Sequence, residues 1–207
     1  MGCPEIGQSS SIITPNMIST FVGFLGGFLT AMFAEPLRQI IFRPNLKLEF
    51  YASEDCVTPT PETNPNGIHD AFYIRIKATN TKPRLAQKCR AYLVMVEKED
   101  DKGDFCPTEY CDSIQLAWAC KGTQAYAALD LPRGIAQFVD VVSTRSIAAK
   151  NFRPEIRPFP FRYASLFQQT GVFRFTIQVS GDGIKPKFIQ IIFDWKGAWN
   201  TFKVKPV

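Results

Sequence analysis

Histidine is nearly absent from this chain of 207 residues: His69 is the only one, which leaves almost no material for imidazole-based proton transfer or metal ligation. The G-x-S-x-G nucleophile elbow, the G-x-x-x-x-G-K-[ST] phosphate loop and the G-x-G-x-x-G dinucleotide turn are all missing. With them go the usual frames for acyl transfer and nucleotide binding. Six cysteines are present, Cys3, Cys56, Cys89, Cys106, Cys111 and Cys120, but no C-x-x-C pair. Steps of 5 and 9 residues across Cys106, Cys111 and Cys120 match no common zinc spacing. Charge of one sign is not in excess either: 24 basic against 19 acidic residues leave a net +5, too little for a dedicated nucleic-acid binder. The expectation is therefore no cofactor, no resident metal and no nucleic-acid partner.

Charge is missing altogether between Glu5 and Glu35, a run of 29 positions. A helix started at Pro15, with Thr14 as N-cap, gives 20 residues through Ala34 and about 30 Å at ~1.5 Å per residue, the thickness of a bilayer's hydrocarbon core. No polar face interrupts it before Glu35-Pro36. A cleaved signal peptide would need a basic n-region and a small-x-small cleavage site, and neither is present. A buried core helix is the remaining alternative. The expected organisation is a tail at 1–14, a single transmembrane helix at 15–35, a juxtamembrane segment at 36–44 and a folded domain at 45–207. Lys and Arg are absent before the span, whereas Arg38, Arg43 and Lys47 follow it. The positive-inside rule then places the N-terminus outside and the domain in the cytoplasm. Ser19, Gly23, Gly27 and Ala31 recur every fourth position and include a G-x-x-x-G, a face through which two helices can approach closely to form a homo-oligomer.

What is plentiful is apolar and aromatic residues: 45% of the chain is hydrophobic, and 18 of its 27 aromatics are Phe, enough for one sizeable core. From Leu46 the pattern takes the period of two that marks strands. Candidates are Leu46–Phe50, Phe72–Asn80, Arg90–Glu97, Ser113–Ala119, Gln137–Ser143, Gly171–Ser180 and Lys187–Trp195. In the sixth, Phe173, Phe175, Ile177 and Val179 are assigned to a core and Arg174, Thr176 and Gln178 to water. With turn signals at Asn64-Pro65-Asn66-Gly67 and Gly181-Asp182-Gly183, this predicts an all-β antiparallel sandwich of seven or eight strands. Glu54–Asp70, with its prolines and His69, is expected as a surface loop. Arg145–Arg162 is expected as an extended crossing segment. Glu97–Asp104, rich in acids but without EF-hand spacing, is expected as a solvated hairpin tip. Cys89 and Cys120 are expected in strands, as small core hydrophobes.

The stretch Tyr73-Ile74-Arg75-Ile76-Lys77-Ala78-Thr79-Asn80, followed by Ala86, Cys89 and Leu93, resembles the Y-x-R-x-x-x-x-N…A-x-x-C-x-x-x-L strands of uncharacterised prokaryotic, membrane-anchored immunoglobulin-like sandwich proteins. Leu131-Pro132-Arg133-Gly134 before Phe138-Val139-Asp140-Val141, and Gly181-Asp182-Gly183 before Phe193-Asp194-Trp195, are similar to later strands of the same proteins. The resemblance implies an immunoglobulin-like fold and carries no catalytic motif. The expected function is accordingly non-catalytic: a single-pass protein of the inner membrane, whose partners are the lipid bilayer and a second protein. Two alternatives stay open. One is a membrane-anchored hydrolase or metal enzyme using His69 and a Cys; the other is a periplasmic domain stabilised by disulfides.

Overall fold

The computed structural model describes residues 27–28, 32–34, 43–65 and 67–207. The chain divides into two compact units, Met1–Phe42 and Arg43–Val207. In the first, residues 27–28 and 32–34 are helical, and Phe28, Met32 and Phe33 are exposed. Most of the expected span, including Ser19, Gly23 and Ala31, lies outside the described residues, as does Arg38. Among the described residues no helix is long and apolar enough to cross a membrane.

All seven expected strands form in the second unit, as β1 (Leu46–Glu49), β3 (Gly67–Asn80), β4 (Ala86–Glu99), β6 (Ile114–Trp118), β8 (Ala136–Arg145), β11 (Gly171–Asp182) and β12 (Lys187–Ala198). Six more bring the total to thirteen: β2 (Val57–Asn64), β5 (Phe105–Pro107), β7 (Leu129–Leu131), β9 (Phe152–Pro154), β10 (Ile156–Arg157) and β13 (Thr201–Pro206). Every ladder is antiparallel, along the path β1-β3-β8-β6-β4-β11-β12-β13, with the remaining strands paired to its flanks.

The loop expected at 54–70 is instead largely the β2–β3 hairpin, turned at the Asn64-to-Gly67 signal. Its prolines had argued against a strand. The amide of Arg75 donates to the Cys56 carbonyl at 2.7 Å. That parity puts Thr58, Thr60 and Glu62 at bonding positions and turns the nitrogens of Pro59 and Pro61 away from β3. An edge strand loses no ladder bond there. His69 therefore lies on a strand opposite Glu62, not in a loop. The acidic run is a hairpin tip between β4 and β5, where Asp100 Oδ1 accepts from the amides of Lys102 and Asp104 at 2.9 Å each.

The core gathers the inward faces of both halves of the path. Ile74 and Ile76 of β3 and Val139 and Val141 of β8 share one cluster with Leu93 of β4, Phe173, Phe175 and Ile177 of β11, and Phe193 of β12. β6 links the halves, because Ile114 and Gln115 pair with β4 whereas Ala117 and Trp118 pair with β8. The opposite face of β11 is not simply wet as expected. Thr176 is buried, and Arg174 forms a two-pronged ion pair with the buried Glu97 at 2.5 and 2.6 Å. Cys89 is in the core, but Cys120 is exposed at a positive-φ turn just after β6, because β6 stops at Trp118.

Candidate functional site

The segment leaving β8 builds a cavity. After Arg145 the chain makes a 3-10 turn at Ser146–Ala148, forms β9 and β10, then makes two more such turns at Phe161–Tyr163 and Leu166–Gln168. Phe152 pins it to the core. Its ring lies 5.1 Å from those of Phe173 and Phe193, 5.5 Å from Phe167 and 5.7 Å from Trp195. Around this anchor the segment leaves a cavity of about 680 Å³. Phe152, Phe159 and Phe167 form an aromatic wall and Glu62, Ser143 and Arg145 a polar one. Phe161, 90% exposed, and Ile147 stand among its lining residues, and exposed Arg153 lies over the Phe159 ring at 5.4 Å.

The polar wall is an ordered charge network. Arg145 Nε donates to Glu62 Oε2 at 2.8 Å, and its Nη2 donates to Glu155 Oε1 at 2.9 Å and to the Tyr73 hydroxyl at 3.1 Å. Tyr73 donates to Glu62, and Ser143 to Glu155. Burial raises the Glu62 carboxyl, but the hydrogen bonds from Arg145 and Tyr73 outweigh it and leave its pKa below the ordinary carboxylate value. Beside this network Arg75 Nε donates to Asp140 at 2.6 Å. There desolvation dominates, and the Asp140 carboxyl is pushed up despite its partner. Burial and Glu62 also push the Tyr73 phenol up, so it stays a neutral donor. Every strong charge on the polar wall is matched, and of the aromatic one Phe152 and Phe167 are buried and Phe159 is half-buried, so the apolar surface left in water is that of Phe161 and Ile147.

No family model matches the chain, and no curated protein matches it. The residues quoted for the immunoglobulin-like resemblance have clear structural roles nonetheless. Tyr73 and Arg75 belong to the networks above, and Asp140 neutralises Arg75. Asn80 is fully buried: its Nδ2 donates to the carbonyls of Arg84 and Leu131 at 2.7 and 3.1 Å, and its Oδ1 accepts from the Lys82 amide at 3.1 Å. Cys89 is buried, and desolvation pushes its thiol up to about 12, which makes it a poor nucleophile.

The other singled-out residues each have their own local setting. Gly27 is helical and exposed in the first unit. Arg43 Nε donates to the Gly183 carbonyl at 2.6 Å, and Lys47 pairs with Glu49 at 2.6 Å. Cys56, Cys89, Cys106, Cys111 and Cys120 are free thiols. Among the described residues no three of His, Cys, Asp and Glu converge as a metal-binding set. Sequence reasoning did not find the cavity. The hint in the sequence is the Pro- and Arg-rich composition of 145–162, which by itself indicates a crossing segment.

Proposed function

We propose that this chain is a non-catalytic, single-pass membrane protein whose immunoglobulin-like sandwich binds a protein partner through the 145–168 cavity. The observation that carries the reading is the aromatic-walled cavity with an almost fully exposed Phe161 at its edge. A large aromatic left in water beside a preformed apolar hollow is costly in a lone molecule and useful at an interface. The occupant that fits is a partner segment inserting an aromatic or branched aliphatic side chain, with a carboxylate nearby to meet Arg153. Two sheet halves around one core, joined at β6, support the sandwich.

The anchor is the uncharged run at 6–34, with Arg38, Arg43 and Lys47 on its cytoplasmic side and the Ser19, Gly23, Gly27 and Ala31 face available for self-association. Exposed apolar Phe28, Met32 and Phe33 within it support that placement. The test is a photoreactive benzoylphenylalanine in place of Phe161, activated in native membranes. Discrete protein adducts are expected, and they should vanish when Ile147→Asp and Arg153→Glu block the cavity. Adducts no different from those of a probe at exposed Tyr51 would remove the proposal.

A further inference from the structure

Seven strand ends meet at one end of the sheet. Leu46 at the start of β1 pairs with Asn80 at the end of β3, and Thr79 pairs with Ala136 at the start of β8. Ala86 at the start of β4 pairs with Leu131 at the end of β7, and Gln87 with Asp182 at the end of β11, which turns directly into β12. The unit also begins here, since Arg43 bonds to Gly183 in the β11–β12 loop.

Three loops cap this end, at 81–85, 132–135 and 183–186. The side chain of Asn80 ties the first to β7, and its carbonyl accepts from the Gly134 amide in the second at 2.8 Å. The loops carry Lys82, Arg84, Arg133 and Lys185 and no acid. All four are exposed, and among the described residues none of the four is in an ion pair. Neighbouring Lys88, by contrast, is paired with Asp182 at 2.9 Å. On the same loops two aliphatic side chains face solvent, Leu85 at 38% and Ile135 at 50% exposure.

Cations without an acidic partner on three loops at one end repel one another, and the apolar side chains on those loops gain nothing from water. A surface of negative headgroups over a hydrocarbon edge supplies what both lack. We propose that this end of the domain docks on the surface of a bilayer rich in anionic lipid. The inference rests on the reading that 15–35 spans the membrane: residues 36–43 reach at most about 28 Å fully extended, which delivers the start of the unit to that surface. Each basic residue near an anionic surface contributes about fivefold in binding, so four together contribute on the order of several hundredfold.

The test uses the full chain in vesicles of phosphatidylcholine, alone or in equal mixture with phosphatidylglycerol, and hydrogen exchange read by mass spectrometry. Exchange in the three loops is expected to slow several-fold only on the anionic vesicles, and to recover in high salt. The combined variant Lys82→Gln, Arg84→Gln, Arg133→Gln and Lys185→Gln should lose this protection and keep its unfolding midpoint. Equal exchange on both vesicles, protection surviving in the variant, or the same protection from a polyglutamate peptide would overturn the proposal. Co-flotation with the neutral vesicles reads the anchor separately. A chain that leaves neutral vesicles yet is protected on anionic ones keeps the surface and discards the anchor.

Discussion

Asn80 bonds three backbone groups, those of Lys82 and Arg84 in the loop after β3 and of Leu131 at the end of β7, which is why an amide sits there rather than an apolar side chain. Asn80→Ala strands the Leu131 carbonyl and the Lys82 amide, at a cost of about 1–3 kcal/mol for a buried group left unpaired. Urea unfolding checks it. Gly181 is fixed by space: a Cβ there would come within 2.6 Å of the Gln87 carbonyl and 3.2 Å of Cys89 Sγ. Gly181→Ala is expected to destabilise by about 1–3 kcal/mol through overpacking, measured the same way. Glu62 and Asp140 titrate with opposite consequences. The lowered pKa of Glu62 adds stability above its ordinary value of 4.5, and that is lost as pH falls through the folded value. The raised pKa of Asp140 costs stability at neutral pH, and protonation relieves the cost. Glu62→Gln should therefore be less stable than the parent near neutral pH, with the gap closing in acid. A constant gap across denaturation curves in that range would refute the assignment.

Short strands in this protein depend on their neighbours. β9 has three residues and pairs with β8 over Phe152–Pro154; alone it has no reason to be extended. Its position is set by the Phe152 ring among Phe167, Phe173, Phe193 and Trp195. Phe152→Ala is expected to cost about 3–5 kcal/mol and to loosen the cavity wall, visible as faster hydrogen exchange across 145–168. Phe161→Ala, at a 90% exposed site, should leave stability within about 0.5 kcal/mol of the parent. Only partner capture should change.

The exposed thiols offer a native probe of orientation. Cys106, Cys111 and Cys120 are exposed and free in the second unit. In a Cys3→Ser background, a membrane-impermeant maleimide should label them only after intact cells are permeabilised. Labelling of intact cells would place the domain on the other side of the membrane and reverse the proposed topology. The segregation of charge along the chain bears on the same question: an uncharged run at 6–34 precedes residues 35–207, which carry 24 basic and 18 acidic residues, or +6.

Hydrophobic period is a local signal, and it was enough for seven of the strands, while turn and acid signals marked the Asn64-to-Gly67 turn and the hairpin tip. Each of those is written in consecutive residues. Hydrogen-bond and charge partners are not local: Arg75 meets Asp140 65 positions away, and Arg174 meets Glu97 77 positions away. β5, β7, β9 and β10 are two or three residues long and exist because a neighbouring strand supplies their ladder. The prolines of β2 hid a strand that only an edge position permits. The cavity and the basic end follow the same rule, since each joins segments far apart in sequence. Composition could count their charges and aromatics, but only folding decided which of them stand unpaired and side by side.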